Sequence, residues 1–437
     1  MRIRSLSPEE ELSYKSILAL FPEATLLFPS KTGITKNILD AHISLRMLMA
    51  KNGYHDYSKQ GQGEEHQVYK PTIINDGEAV YYYDMSLYRP ETKDGDPRLW
   101  PCISRNNKTK INLHTKDIKP GEAFGKLCKP DDLFAAIIVD SILVLIRITD
   151  NIIKLSNHNK SKVPNLNGIN QQFSNWITLG SELRVDGKSI EDEQFIVSEI
   201  IDKLESYGDS FVESRGDSDM AVGKTVEWML GIEPNSSKDP DYHGVEIKSA
   251  RTGQQKNKLT TLFSKTPDRK LSPYKPYEVV TRFGKIDEQT QRPCVYASIG
   301  PKDKSRNLMG FFTRFSNDCI SLELWNIDID KPLFIWPLDE LRSALIKKHR
   351  RTLWIAVNFR KIKSKEEFQI KSAKLTGDPC FTTFLDFIRE GKITVDLTMS
   401  LKGKAEAVRD HGYLFRIQQS HLDELFLSQP KTYNINS

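Results

Sequence analysis

Nine consecutive residues, Pro240-Asp241-Tyr242-His243-Gly244-Val245-Glu246-Ile247-Lys248, bring two carboxylates and a lysine into one short stretch. In an extended strand, residues two apart share a face, so Glu246 and Lys248 project together while Val245 and Ile247 point toward a core. Asp241 comes five positions before Glu246, at the mouth of that strand. Hard cations such as magnesium take oxygen ligands, and two carboxylates with the backbone carbonyl of Ile247 leave room on the ion for water and phosphate. A lysine beside the ion can orient or deprotonate the attacking water and offset developing charge. The chemistry in view is metal-assisted hydrolysis of a phosphodiester.

An Asp followed by Glu-x-Lys is common in a chain that is 28% charged, so its weight depends on the elements around it. Upstream, Met220 to Gly231 carries apolar residues at helical spacing, with Ser218 or Asp219 available as N-cap and Gly231 as terminator. That helix bears Glu227 and leads through a short polar loop into the strand. Downstream, residues 248–275 carry eight basic residues (Lys248, Arg251, Lys256, Lys258, Lys265, Arg269, Lys270, Lys275) against one acid, Asp268. A basic loop there suits a grip on the DNA backbone, with binding that weakens steeply as salt rises. Gln254, Gln255 and Asn257 have the groups to reach adenine edges, and Arg251 or Lys256 guanine edges.

Gly223-Lys224-Thr225-Val226-Glu227, Leu230-Gly231, Pro240-Asp241, Gly244-Val245-Glu246-Ile247-Lys248-Ser249 and Arg251 together resemble the PD-(D/E)XK nucleases related to MutH, and within them the MvaI/BcnI restriction endonucleases. The resemblance implies magnesium-dependent hydrolysis of double-stranded DNA to 5′-phosphate and 3′-hydroxyl ends, at a short GC-rich, nearly palindromic site. It makes Asp241 and Glu246 metal ligands, Lys248 the water-positioning group and Glu227 the helix glutamate that supports or joins the metal site. Arg409-Asp410-His411-Gly412-Tyr413-Leu414-Phe415-Arg416-Ile417 is similar to an Asp-His-Gly segment that approaches DNA in this family, which nominates His411 and Arg416 as DNA contacts. Tyr413 departs from the pattern, since a small residue is more usual there, and a different local pocket is expected.

The 437 residues are enough for two domains with proper cores. A 38% hydrophobic and 9% aromatic content describes a globular chain, and the net charge of +5 is compatible with a polyanionic partner without requiring one. Cys102, Cys128, Cys294, Cys319 and Cys380 form no C-x-x-C pair, so neither a zinc module nor a disulfide framework is expected, and a reducing cytoplasm is the expected home. The first fifteen residues lack an apolar signal-peptide core. The run Ala135 to Ile148 is too short for a membrane helix and contains Asp140, so it reads as a buried strand or strand pair.

The fold expected is α/β: a C-terminal mixed sheet flanked by helices, after a separate strand-rich α+β domain. The boundaries expected are 1–150 for an N-terminal DNA-binding or effector domain, 151–185 for a polar linker and 186–437 for the nuclease. A short element is expected at Gln171 to Leu183 and an amphipathic helix at Ile190 to Tyr207. C-terminal strands are expected at Tyr277 to Arg282, Cys294 to Ile299, Met309 to Phe315, Ile320 to Trp325, Leu333 to Trp336, Leu353 to Val357 and Phe368 to Ala373. Helices are expected at Leu338 to Lys348 and Phe381 to Arg389. In the N-terminal part, strands are expected at Thr25 to Phe28, Ala79 to Leu87, Trp100 to Ser104 and Ile137 to Ile148, and a helix at Ile38 to Lys51. Tyr81, Tyr82, Tyr83, Tyr88, Arg89, Lys93, Arg98 and Trp100 interleave aromatic and basic groups as nucleic-acid surfaces do, although alternating strand tyrosines are as readily packing residues. Some restriction enzymes of similar specificity carry an N-terminal module that senses a second DNA copy, and the expected enzyme is a monomer whose one active site nicks two strands in turn. Two rivals stand beside this reading: a MutH-like strand-nicking repair enzyme, and a DNA-binding regulator that no longer cuts. The added N-terminal domain and the Asp-His-Gly segment weigh against the first, and the intact Asp, Glu and Lys against the second.

Overall fold

The computed structural model describes residues 4–36, 39–56, 59–68, 72–75, 78–82, 85–88, 98–101, 131–139, 141–148, 190–216, 220–233, 239–253, 259–305, 307–363, 365–402 and 408–436. The chain divides into two compact units. One comprises Met1–Val185, Phe315–Ser321 and Phe381–Asp386, and the other Asp186–Arg314, Leu322–Cys380 and Phe387–Ser437.

The first unit begins with α1 (Pro8–Leu20), β1 (Thr25–Leu27), α2 (Lys31–Lys36), β2 (Leu39–Asp40) and α3 (Ile43–Lys51). The start of α1 is written in its sequence: Pro8 opens the helix, the Ser7 hydroxyl accepts from Glu10 N–H, and the Glu10 carboxylate accepts from Ser7 N–H at 2.8 Å. Strands follow as β3 (Glu65–Val68), β4 (Thr72–Asn75), β5 (Glu78–Tyr82), β6 (Met85–Tyr88), β7 (Arg98–Pro101), β8 (Phe134–Val139) and β9 (Ile142–Arg147). They form one sheet in the order β1-β8-β9-β4-β5 and another in the order β2-β7-β6-β3. The apolar run is a hairpin, β8 against β9, turning at Ser141 with φ of 60°, and its residues Phe134, Ala135, Leu143, Leu145 and Ile146 are buried. The single strand expected over Ala79 to Leu87 is two, β5 and β6, in different sheets, and the helix expected from Ile38 starts at Ile43, after β2. Residues 151–185, including the expected element at Gln171 to Leu183, lie outside the described residues, as do Tyr83, Arg89 and Lys93.

The second unit runs α4 (Ile190–Glu205), β10 (Val212–Glu213), α5 (Ala221–Met229), β11 (Glu246–Arg251), β12 (Leu259–Ser264), α6 (Pro276–Phe283), β13 (Lys285–Ile286), β14 (Pro293–Ile299), β15 (Phe311–Phe315), β16 (Ser321–Asn326), β17 (Phe334–Pro337), α7 (Leu338–His349), β18 (Arg351–Ile362), β19 (Lys365–Gly377), α8 (Phe381–Arg389), β20 (Ile393–Leu401), β21 (Val408–Gln418) and β22 (Lys431–Asn434). The first six residues of α8, with Phe315 at the end of β15 and Ser321 at the start of β16, belong to the N-terminal unit. One sheet has the order β10-β19-β18-β11, with β22 also on β19, and a second, antiparallel sheet has the order β12-β21-β20-β14-β13. Helices α4 and α5 cover one face of the first sheet: Val197, Ile200, Leu204, Val222 and Val226 share a core with Val245, Ile247, Leu353, Ile355, Phe368 and Ile370. The alternation predicted for β11 thus holds, with Val245 and Ile247 turned into the helices.

The stretch Tyr277 to Arg282, expected as a strand, is helix α6. Pro276 opens it, the Glu278 carboxylate accepts from Lys275 N–H at 2.7 Å, and only Val279 and Val280 of its body are buried, so end signals outweigh its β-branched residues. The basic stretch after β11 is not one loop, because Leu259–Ser264 forms β12 and pairs with β21. Helix α5 has Met220 at its N-cap position with no side-chain cap bond, in place of the Ser218 or Asp219 expected, both of which are outside the described residues. Its end is as read: Gly231 follows the C-cap with φ of 73°.

Candidate active site

The Asp241 and Glu246 carboxylates are brought together by a turn. His243 and Gly244 have φ of 45° and 93°, and Tyr242 and Val245 exchange backbone hydrogen bonds of 2.9 and 2.8 Å across them. Two successive positive-φ residues make the tight primed turn that Gly favours. The chain folds back on itself, and Asp241 Oδ2 accepts from Ile247 N–H at 2.9 Å, which fixes Asp241 beside the start of β11. The turn is tied to α4 as well, since the Tyr242 hydroxyl donates to Glu199 Oε1 at 2.6 Å and accepts from Lys203 Nζ at 2.5 Å.

Strand β11 lies parallel to β18, with Glu246 opposite Thr352 and Lys248 opposite Trp354. Because α7 runs directly into β18, the last turn of α7 arrives at the start of β11. Two basic groups therefore meet Glu246, which is completely buried. Lys248 Nζ pairs with Oε1, and Lys348 Nζ lies 2.7 Å from Oε2 and 4.0 Å from Asp241 Oδ1. Lys348 also donates to the Asp239 carbonyl at 3.1 Å, while Lys347 pairs with the Asp239 carboxylate at 2.7 Å. Behind them His349 is fully buried, with Nε2 2.8 Å from the Leu262 carbonyl, Nδ1 2.9 Å from Thr352 Oγ1 and its ring parallel to Trp354.

Burial holds the Glu246 carboxyl above the ordinary glutamate range, with Lys248 and Lys348 opposing the shift and Asp241 adding to it. Glu227 on α5 is raised too, first by burial and next by the charge of Asp241, against Lys248, Lys224 and Lys348. The charges that act on Glu227 are thus those of Asp241 and of the nearby lysines. His349 is lowered to about 3 by burial and by the two lysines, against its bond to Leu262, and is neutral at ordinary pH.

Neither Glu246 oxygen has a partner with hydrogen-bond alignment among the described residues, although both lie against ammonium groups. Among the described residues no three His, Cys, Asp or Glu side chains converge as a metal cage. An oxygen-only set of two carboxylates and carbonyls, incomplete without water and a substrate oxygen, fits a hard divalent cation and does not fit a nitrogen- and sulfur-ligated one.

The nominated DNA contacts are more dispersed. Arg251 at the end of β11 pairs with Glu366 at 2.5 Å and lies over the Phe368 ring, and Lys265 pairs with Glu340 at 2.8 Å. Arg269 is exposed, and Lys256 and Lys258, with Gln254, Gln255 and Asn257, lie outside the described residues. Arg416 on β21 pairs with Asp396 at 2.7 Å and donates to the Leu259 carbonyl at 3.1 Å. His411 sits in a bulge: Leu397 pairs with Tyr413 and Met399 with Asp410, so His411 and Gly412 share one partner position. Gly412 has φ of 105°, and a Cβ there would stand 2.7 Å from Ser264 Oγ. Tyr413, the departure in that segment, is a core residue edge-on to Phe334 and Trp336.

Lys348 and His349 were not among the residues singled out from sequence. The signal available was the basic run Lys347-Lys348-His349-Arg350-Arg351, which at a helix C-terminus reads first as favourable to the helix dipole.

A mixed α/β unit with acids and a lysine at the head of one strand has the make-up of a nuclease of the restriction-endonuclease class. The MvaI/BcnI restriction endonuclease family matches residues 200–426, just over half of the chain, and the chain belongs to that family. It is accordingly a site-specific deoxyribonuclease. Similar solved structures include MvaI with cognate DNA, at 24% identity over 57% of this chain and 100% of the other with a TM-score of 0.47, and MvaI without DNA, at 22% identity over 57% and 99% with a TM-score of 0.35. No curated protein matches the chain. Among the described residues, no helix is long and apolar enough to cross a membrane.

Proposed function

We propose that this restriction endonuclease is a type II enzyme of the cytoplasm that cleaves double-stranded DNA with magnesium, at a short GC-rich pseudopalindromic site, acting as a monomer. The observation that carries the catalytic assignment is the buried Glu246 carboxylate, held beside Asp241 by the His243-Gly244 turn and flanked by Lys248. Asp241, Glu246 and the Ile247 carbonyl would hold the ion. When bound, it would polarise the scissile phosphate and lower the pKa of a coordinated water. Lys248, on the same strand face as Glu246, would orient the attacking water and offset charge on the phosphate oxygens. Glu227, its carboxyl raised, supports the site from α5. In-line attack by water breaks the bond from phosphorus to the 3′ oxygen and leaves 5′-phosphate and 3′-hydroxyl ends.

The exposed Arg269 and the segment carrying Lys256 and Lys258 would contact the DNA backbone, as would His411. Arg251, Lys265 and Arg416 act in this reading only if they exchange their carboxylate partners for phosphates. The N-terminal unit would add DNA contacts or bind a second copy of the site. The test is digestion of phage DNA with and without magnesium, followed by ligation. Discrete fragments that form only with the metal and religate support the reading, whereas metal-independent or non-ligatable products contradict it.

A further inference from the structure

The ammonium of Lys348 stands where a cation shared by two carboxylates would stand. It is 2.7 Å from Glu246 Oε2 and 4.0 Å from Asp241 Oδ1, whereas Lys248 takes only the other oxygen of Glu246. A carboxylate with no exposed surface needs compensating charge, and removing one partner of such a pair leaves a costly buried ion. Lys348 comes from the end of α7, outside the Asp241 to Lys248 stretch, and its side chain is 17% exposed. It also has a second acceptor in reach, the Asp239 carbonyl at 3.1 Å, toward which the ammonium can withdraw without losing every partner.

We propose that Lys348 is a place-holding cation of the catalytic carboxylates, neutralising Glu246 and bridging toward Asp241 until a divalent ion displaces it toward Asp239. This rests on the assignment of Asp241 and Glu246 as metal ligands. Lys348 is thus a positioning residue that keeps the two acids together in the metal-free protein, and metal binding is a cation exchange. A metal that must evict an ammonium binds more weakly than one entering an open carboxylate pair.

The experiment is calorimetric titration of magnesium and manganese into the full chain without DNA, for the parent, Lys348→Met, Lys348→Gln and Glu246→Gln, with thermal unfolding of each. The expected result is that both Lys348 variants bind metal about tenfold more tightly or better, the scale of one charge-assisted contact. They also unfold at lower temperature without metal and regain the difference when metal is added. Glu246→Gln loses metal binding. Lys348 variants whose metal affinity is unchanged or weaker, while Glu246→Gln has lost it, overturn the inference and leave the metal site standing. Unchanged metal binding in Glu246→Gln overturns the metal-site assignment itself. Should Lys348→Met not fold, Lys348→Gln, which keeps a polar end without the charge, decides.

Discussion

Glu246 is held in tension between burial, which favours its protonated form, and two lysines, which favour its charge. Its folded pKa is raised, so its contribution to stability is present below the unfolded carboxylate pKa and is lost as pH rises through the folded value. Glu246→Gln should therefore be at least as heat-stable as the parent near neutral pH without metal, although inactive, and a lower melting temperature for it under those conditions would count against this balance. On the proposed assignment protons and metal would compete for the raised Glu246 carboxyl, so cleavage at limiting magnesium should climb with pH as Glu246 ionises. Saturating magnesium should move that rise to lower pH, and a profile indifferent to metal concentration would contradict it. At this scale the nearness of Asp241, Glu246 and Lys248 was legible because the turn and the strand alternation that bring them together are local. Lys348 was not, since 102 positions of chain separate it from Glu246 and only the α7 to β18 connection joins them.

Two elements position these groups, and each offers a test away from the reacting atoms. The turn before β11 depends on Gly244 at φ of 93°. Gly244→Ala should cost about 1–2 kcal/mol of stability. It should also lower turnover out of proportion, because Asp241 loses its hold on Ile247; unfolding and cleavage measured on one preparation separate the two effects. At the end of α7, buried His349 has its pKa lowered to about 3, so its contribution is present above the unfolded value near 6.5 and is lost as pH falls from there toward 3. Replacing it with Gln, which cannot charge, should flatten the decline of stability over that window, and an unchanged acid-unfolding curve would show that His349 is not the group responsible. The elements read least well from sequence were those set by partners. Leu259–Ser264 became β12 by pairing with β21, and the Ala79 to Leu87 run split because its halves pair in different sheets. Residues 277–282 misled through β-branched side chains, while Pro276 and Glu278 carried the true signal.

The whole molecule places Phe315–Ser321 and Phe381–Asp386 with the N-terminal unit, although both lie within the length that the family match covers. Composition could not announce this, because it depends on which surfaces meet after folding. Thr382 shows it directly, donating to the Leu26 carbonyl at 3.0 Å with Ser44 Oγ a second hydrogen-bond partner at 2.9 Å. Removing residues 1–185 would strip the partners from those segments, so the second-copy proposal is better tested in the full chain. Adding a short duplex with the cognate site should speed cleavage of a one-site plasmid, and a duplex without the site should not. Equal effects from both would reduce the N-terminal unit to general DNA binding. Whether the acids and lysine at the head of β11 cut DNA is decided by incubating parent and Lys248→Ala with plasmid DNA and magnesium and sequencing the ends. The parent should give discrete 5′-phosphorylated ends at one short sequence, and the variant a rate lower by about 10²-fold or more; cleavage at the parental rate in Lys248→Ala would remove Lys248 from the chemistry.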